Sequence, residues 1–184
     1  MTINEFNPVQ TTPYHINHKL KIYLWKLINK TIFRMIPNQI RKPRIWMLNL
    51  FGANISSNCF IHRNSNIEHP WNLEMGSLSS IGEYSWIYCL DKIRIGEKST
   101  IGKDVYLITG GHDVSDKNFT LETKPICIKD GVWIATGCYI LPGIILENFT
   151  VVAARSIVTK STNEFDIIGG APANFIRKRN FRVT

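Results

Sequence analysis

The stretch Ile128–Val158 reads IKDGVWIATGCYILPGIILENFTVVAARSIV. Aliphatic residues occupy every sixth position of it, at Ile128, Ile134, Ile140, Leu146, Val152 and Val158. A period of six fits neither the 3.6-residue period of a helix nor the two-residue alternation of a strand. It predicts short strands that turn a corner every six residues, so that three strands close a triangular coil of about 18 residues.

The same period extends upstream through Ile55–Leu73, Ile81–Ile93 and Ile95–Leu107, which predicts about five stacked coils around a continuous aliphatic column. Small residues often follow the aliphatic one, where we expect a Cβ to crowd the backbone. The register breaks briefly after Leu73 and after Ile93, and widely between Leu107 and Ile128. Residues 108–127 are therefore predicted to leave the coil as a loop, and long loops in compact domains tend to be functional. The alternative, a sandwich of short strands, would show a period of two.

The N-terminal third has helical spacing instead, through Leu20, Leu24, Leu27, Ile28, Thr31, Ile32 and Met35. Pro37 ends this helix, and a second short helix is predicted over Arg44–Phe51, stopped by Gly52. Two interpretations stay open: the first helix packs across the open end of the β-helix, or it lies on an anionic membrane surface. A short C-terminal helix is predicted over Ala171–Arg182. The predicted organisation is a helical extension (1–52), a β-helix (53–168) and a C-terminal helix with tail (169–184).

Charge is unevenly distributed along the 184 residues, whose net charge is +8. Between Phe6 and Ile67 there are nine Lys or Arg and no Asp or Glu, whereas basic and acidic residues balance from Glu68 onward. A nucleic-acid-binding core would spread basic charge over its reading surface, so the pattern indicates a basic appendage and no nucleic-acid partner. The polar first 18 residues lack the apolar core of a signal peptide, which predicts a cytoplasmic protein, with the membrane's inner face as a second location.

His112 is the leading catalytic candidate among five histidines. It lies in Thr109-Gly110-Gly111-His112-Asp113, where the chain leaves the coil for its long loop. Two glycines let a backbone pass close to a ligand, and a carboxylate from Asp113 or Asp91 would orient the imidazole. The alternative is a structural histidine. The four cysteines form no CxxC pair, so no structural metal is expected.

The chain resembles the hexapeptide-repeat acyltransferases. The segments Trp133-Ile134-Ala135, Leu141-Pro142-Gly143, Ala154–Lys160 and Gly169–Ala173 are similar to that family's C-terminal signature. Within the family, Pro70–Gly76, Trp86–Ile93 and Thr109–Asp113 followed by Phe119 resemble the branch acting in colanic-acid and other exopolysaccharide biosynthesis. The basic N-terminal helix also matches that branch.

The resemblance implies an all-β, left-handed parallel β-helix, a homotrimer with active sites between subunits, and acetyl-CoA as donor. Carried over by position, His112 is the general base, with Asp113 beside it, and acceptor contacts fall at Tyr88, Cys89 and Asp91. Asp91 is the better acceptor candidate, because Cys89 stands where this branch commonly has Asn. Positions that contact CoA in related enzymes are Ala135, Thr136, Ala153, Ala154, Thr159, Lys160 and Arg177.

The implied function is direct acetyl transfer to a sugar hydroxyl of an exopolysaccharide, capsule or O-antigen, with a free or lipid-linked saccharide as acceptor. A small soluble acceptor (a sugar, serine or an antibiotic) is the alternative within this chemistry. Outside it stand a γ-class carbonic anhydrase, which needs about three His ligands on a metal, and a non-catalytic scaffold.

Overall fold

A computed structural model describes residues 16–181 and has the architecture of a parallel β-helix. Three parallel sheets of short strands form its faces, in five complete turns and the start of a sixth. Sheet A contains β1 (Asn54–Ile55), β4 (Leu73–Met75), β7 (Ile93–Ile95), β12 (Ile126–Ile128) and β15 (Ile145–Leu146). Sheet B contains β2 (Phe60–Ile61), β5 (Ser80–Ile81), β8 (Thr100–Ile101), β13 (Trp133–Ile134), β16 (Val151–Val152), β18 (Asp166–Gly170) and β19 (Ala173–Lys178). Sheet C contains β3 (Asn66–Ile67), β6 (Trp86–Tyr88), β9 (Tyr106–Ile108), β14 (Tyr139–Ile140) and β17 (Ile157–Val158).

The predicted aliphatic column is confirmed as the core. In most strands the last residue points inward, and every member of the Ile128–Val158 series is buried. The small residues after the column positions are needed because successive turns lie close together. A Cβ on Gly82 would come within 2.6 Å of the Gly102 carbonyl carbon, and one on Gly102 within 2.7 Å of the Ile134 oxygen.

The two small register breaks have one cause. In β4 and β7 two side chains point inward rather than one, Leu73 with Met75 and Ile93 with Ile95. Met75 pairs with Ile55 and Ile95, so it is the true column position that the aliphatic pattern passed over. The extra residues lie at the corner where the chain passes from sheet C to sheet A, which we call the C–A corner.

The large register break is a β-hairpin that projects from this same corner. Its strands are β10 (Gly110–His112) and β11 (Leu121–Thr123), which pair antiparallel. The predicted loop bounds of 108–127 were too wide, because Ile108 pairs with Tyr88 in sheet C and residues 126–128 pair with β7 in sheet A. The segment outside the coil is therefore 109–125.

Three helices close the first turn: α1 (Ile16–Lys30), α2 (Ile32–Met35) and α3 (Lys42–Leu50), with Gly52 just beyond the last at a φ of +98°. The indole N–H of Trp25 donates to the Ile67 carbonyl at 2.6 Å, and Asn49 exchanges two hydrogen bonds with the backbone of Ile55. The capping interpretation of the N-terminal helices is therefore confirmed. No helix within residues 16–181 is long and apolar enough to span a bilayer.

The buried face of the first helix differs from the predicted one. Trp25, Asn29 and Phe33 are buried against the coil, whereas Leu20, Leu24 and Leu27 of the predicted apolar face are exposed. The helix carries two apolar faces, and hydrophobic spacing alone does not tell which of them packs.

The predicted C-terminal helix was wrong. The segment β19 instead pairs antiparallel with β18, joined by a turn at 171–172. Without β19, β18 would end sheet B as an unpaired edge, and such edges need a covering partner. Arg182, the predicted end of that helix, lies outside the described residues, as do 1–15 and 183–184 of the predicted terminal segments.

Candidate active site

The hairpin places His112 at the end of β10, opposite Leu121. The Asp116 side chain folds its tip by accepting hydrogen bonds from the Asn118 amide, at 3.0 Å, and from the Thr120 hydroxyl. Phe119 takes the left-handed backbone conformation, with a φ of +52°. The hairpin tip is thus held by its own short-range hydrogen bonds, as an isolated two-stranded element requires.

Phe119 holds the His112 ring in two ways. Its Nδ1 lies 2.7 Å from the Phe119 carbonyl oxygen, and the two rings stack at 4.4 Å between centroids, 7° from parallel. A carbonyl oxygen can only accept, so Nδ1 carries the hydrogen of the neutral ring. Nε2 is then the atom with a free lone pair, which is what a general base requires.

Neither predicted carboxylate provides this contact. The Asp113 side chain accepts the amide hydrogen of Ser115 at 2.8 Å, a bond within the hairpin tip. The Asp91 side chain accepts the amide hydrogen of Lys92 at 2.6 Å. The prediction that Asp113 or Asp91 orients the imidazole is therefore wrong. The backbone carbonyl of Phe119 makes the contact instead.

The two glycines before His112 have different surroundings. A Cβ on Gly110 would lie 2.7 Å from a Leu90 methyl group and 3.2 Å from the Tyr88 ring. Nothing lies within 4 Å of a Cβ built on Gly111. Gly110 is therefore needed for packing inside the chain, and only Gly111 leaves room for a ligand.

His112 borders a cleft of about 280 Å³ at the C–A corner. Its lining comes from the hairpin and from the corners of the following turns: Gly111, His112, Glu122, Lys124, Leu141, Pro142 and Thr159. We call this the histidine cleft. It combines an imidazole with a carboxylate, an ammonium group and the hydroxyl of Thr159, a polar mixture with which a sugar's hydroxyl groups can form hydrogen bonds.

The predicted acceptor residues lie one turn below the hairpin. The Thr109 hydroxyl joins the two levels: it donates to the Tyr88 carbonyl at 2.7 Å and accepts from the Asp91 amide at 3.0 Å. Tyr88 and Asp91 are both partly exposed there.

Cys89 is removed from the predicted acceptor site, because its side chain is fully buried. Burial raises the pKa of its thiol to about 12, and its Sγ lies 3.2 Å from the His69 carbonyl oxygen that it hydrogen-bonds. A thiol inside the coil cannot contact a sugar.

A second and larger cleft, of about 670 Å³, lies on sheet B and at the corner between sheets B and C. Five of the seven predicted CoA positions line it: Ala135, Thr136, Ala153, Ala154 and Arg177. We call it the CoA cleft. Thr159 borders the histidine cleft instead, and exposed Lys160 borders neither.

Arg179 also lines the CoA cleft, although no sequence motif pointed to it. Its Nη1 donates to the carbonyls of Gly131 at 3.0 Å and Phe149 at 3.3 Å. Alternation along an extended chain puts Arg177 and Arg179 on one face and Lys178 on the other, where Lys178 pairs with Asp166 at 2.7 Å. Reading this basic run as a strand would have identified Arg179.

The remaining coil histidines have structural surroundings. His69 is buried beside Trp71, and burial lowers its pKa to about 4, so its ring is neutral at neutral pH. His62 accepts a hydrogen bond from the Asn64 amide. Among residues 16–181, no group of three or more His, Cys, Asp or Glu side chains is placed to hold a metal ion.

No protein-family model matches the chain. The chain is 38% identical over 160 residues to a colanic acid biosynthesis acetyltransferase, WcaF of Escherichia coli K12, and the match covers 87% of this chain and 88% of that protein. A galactoside acetyltransferase solved with coenzyme A has a similar fold, with a TM-score of 0.82 at 24% identity over 92% of this chain and 86% of that one. The hexapeptide-repeat acetyltransferase VCA0836 of Vibrio cholerae, solved with acetyl-CoA, gives 0.81 at 20% identity over 95% and 96%.

The family resemblance found in the sequence motifs is thus confirmed, and acyl transfer takes the place of the carbonic-anhydrase and scaffold alternatives. The repeat, the hairpin-borne histidine, the separate cleft of small residues and the match to WcaF over most of both chains agree. The chain belongs to the hexapeptide-repeat acetyltransferases, alongside the colanic acid biosynthesis acetyltransferase WcaF.

Proposed function

We propose that this enzyme transfers an acetyl group from acetyl-CoA to a sugar hydroxyl, with His112 as the general base. The observation that carries the proposal is the hydrogen bond between His112 Nδ1 and the Phe119 carbonyl, which leaves the Nε2 lone pair available beside the histidine cleft.

In the proposed reaction, Nε2 takes the proton of the acceptor hydroxyl as the hydroxyl oxygen attacks the acyl carbon. Acetyl-CoA, when bound, supplies the thioester that is attacked. The protonated ring then returns its proton to the departing sulfur, so the histidine ends as it began. The Phe119 carbonyl stabilises the ring in its charged state, because it accepts the Nδ1 hydrogen throughout.

The residues of the CoA cleft fit the donor. Ala135, Ala153 and Ala154 leave the corner open for an extended pantetheine arm. Arg177 and Arg179 supply guanidinium groups at one side, and such groups bind phosphates through paired N–H donors. Residues at the corner therefore take the arm, and the two arginines take the nucleotide end.

We infer that the active site forms between neighbouring subunits of a homotrimer. The histidine cleft and the CoA cleft share no residue. The CoA cleft reaches the corner where the strands of sheet C begin, and the histidine cleft lies at the C–A corner, where those strands end. The outer face of sheet C between them is largely aromatic, with Tyr106 stacked on Tyr139 at 4.4 Å and Trp86 next to them. An apolar strip of this kind suits burial against another subunit, which would bring one chain's His112 to its neighbour's CoA cleft.

The acceptor is proposed to be a saccharide in exopolysaccharide or lipopolysaccharide assembly. WcaF, a relative that matches most of the chain, is named for colanic acid biosynthesis, and another relative, WbbJ of Escherichia coli K12, is named as a lipopolysaccharide biosynthesis O-acetyl transferase. The exposed polar groups of the histidine cleft support a polyhydroxy acceptor. A cytoplasmic location is part of this proposal, since acetyl-CoA is a cytoplasmic metabolite.

The test compares His112→Ala with His62→Gln in a thiol-release assay, using simple galactosides and de-O-acetylated polysaccharide fragments as acceptors. Loss of a general base lowers turnover by roughly 10²–10⁴-fold. We expect this loss in His112→Ala with unchanged acetyl-CoA affinity by calorimetry, and wild-type rates in His62→Gln. If His112→Ala keeps more than about a tenth of the activity, His112 is not the base.

A further inference from the structure

One face of α1 is apolar but packs against nothing in the described chain. It consists of five side chains with exposed fractions between 48% and 77%: Ile16, Leu20, Tyr23, Leu24 and Leu27. Their spacing of three and four residues puts them on one side of the helix, opposite Trp25 and Asn29, which pack on the coil. We call these five residues the outer stripe.

Basic residues accompany the outer stripe. Lys19, Lys26 and Lys30 are exposed, and at 100° per residue they lie along one edge of it. The sequence from Asn7 to Asn66 contains no acidic residue. The four ion pairs found within residues 16–181 all lie between Glu74 and Lys178, so none of them neutralises these lysines.

The exposed apolar stripe and the lysines beside it together favour an anionic lipid surface as the partner. An apolar stripe edged by lysines is the pattern of a helix that lies in a membrane interface, with its apolar side chains among the acyl chains and its ammonium groups at anionic headgroups. A second copy docking through the same stripe would bring two rows of lysines together, and like charges repel. We propose that the outer stripe of α1 docks this enzyme on an anionic lipid surface.

The two interpretations of the N-terminal helix are thereby joined. Its Trp25 face closes the β-helix, as the hydrogen bond to Ile67 shows, while its outer stripe remains available on the opposite side. The helix therefore attaches the catalytic coil rigidly to whatever the stripe contacts.

The docking deepens the proposed function, because it rests on the homotrimer for its geometry. A threefold axis that joins the C–A corner of one chain to the CoA cleft of the next runs along the β-helix, so the three α1 helices lie at the same end. Three weak membrane contacts then act together, and their combined affinity exceeds that of one helix by orders of magnitude. The enzyme would stand end-on, which suits an acceptor attached to a membrane lipid.

The test is co-sedimentation of the full chain with vesicles, either phosphatidylcholine alone or phosphatidylcholine with 30% phosphatidylglycerol. We expect binding to the second composition only. Because a lysine near such a surface contributes about 1 kcal/mol, or roughly fivefold in binding, Lys19→Gln/Lys26→Gln/Lys30→Gln should weaken a single contact about 100-fold. Leu20→Gln/Leu27→Gln should abolish sedimentation, and Leu78→Gln/Ile145→Gln, at exposed apolar positions of the coil, should leave it unchanged.

Two results would overturn the docking. One is wild-type protein that stays in the supernatant with anionic vesicles, and the other is a Leu20→Gln/Leu27→Gln variant that changes oligomeric state by light scattering, since the stripe would then be a subunit contact. Acetyl transfer to a soluble galactoside is measured in the same variants without vesicles. Loss of vesicle binding with normal transfer separates the failure of this proposal from the failure of the proposed function.

Discussion

At the scale of single residues, the imidazole of His112, the proposed base, is oriented by a backbone carbonyl. The sequence could point to His112, because the flanking glycines, the long loop and the family motif converge on it. It could not point to the Phe119 carbonyl, whose direction depends on a left-handed backbone conformation and on the Asp116 hydrogen bonds at the hairpin tip. Adjacency in sequence favoured Asp113, but its side chain turns toward the Ser115 amide.

Asp113→Asn tests this reassignment. An asparagine oxygen can still accept the Ser115 amide hydrogen, so we expect the hairpin tip to persist and turnover to stay within about threefold of wild type, with an unchanged pH profile. The measurement is the thiol-release rate as a function of pH. A carboxylate paired with the imidazole would raise the pKa of the base, so removing it would move the profile to lower pH as well as slow the reaction.

A drop of about 100-fold in Asp113→Asn, with the profile displaced, would return the orienting role to the carboxylate. Asp116→Asn is the informative companion. Asp116 accepts from the Asn118 amide with one carboxylate oxygen and from the Thr120 hydroxyl with the other, and an asparagine keeps only one acceptor oxygen. The substitution should therefore loosen the hairpin tip and lower kcat more than Asp113→Asn does.

At the scale of elements, the strands were easier to predict than the segments that close the two ends. Repeated aliphatic positions define the coil through many consistent observations, and among the buried positions that pair with the column, Met75 and Ile168 were missed. The segments at the two ends do not contain the repeat, so each had to be predicted from local sequence alone. The helix α1 has two apolar faces, and Ala173–Lys178 forms a strand because β18 offers an open edge. Both outcomes depend on what lies next to the segment, which local sequence does not state.

Arg44 is the residue that joins the cap elements to the coil. Its guanidinium is buried and donates to the carbonyls of Ile61 at 3.1 Å and of Ile36 and Pro37 at 2.8 Å each. Burial lowers its pKa, yet the arginine stays charged because carbonyl oxygens surround the group.

Arg44→Met should lower the free energy of unfolding by about 2–4 kcal/mol, since it leaves several buried carbonyls without donors. Urea denaturation followed by circular dichroism measures the effect, with exposed Arg41→Met as the matched control, which we expect to change stability by less than about 0.5 kcal/mol. Equal effects in the two variants would show that the buried hydrogen bonds do not hold the cap in place.

At the scale of the whole molecule, the β-helix holds the histidine cleft and the CoA cleft apart within one chain, and the proposed homotrimer would bring them together. Each turn contacts only its neighbours, so a residue's height and corner follow from its place in the repeat. This is why five of the seven positions predicted for CoA from the sequence motifs lie together in one cleft, whereas Thr159 and Lys160 lie outside it. The proposed pairing of the two clefts could not be predicted from spacing within one chain, because sheet C lies between them and the proposal places the partner cleft on a second chain.

Complementation between two inactive variants tests the proposed intersubunit site most directly. His112→Ala removes the base, and Ala154→Trp fills the CoA cleft from an exposed position. If each site combines one chain's His112 with the neighbour's CoA cleft, trimers formed by co-expressing the two variants contain intact sites, and thiol release should recover to about a quarter of wild type on random mixing. If both parts act within one chain, the mixed trimers will be as inactive as either variant alone, and this result would contradict a site shared between subunits.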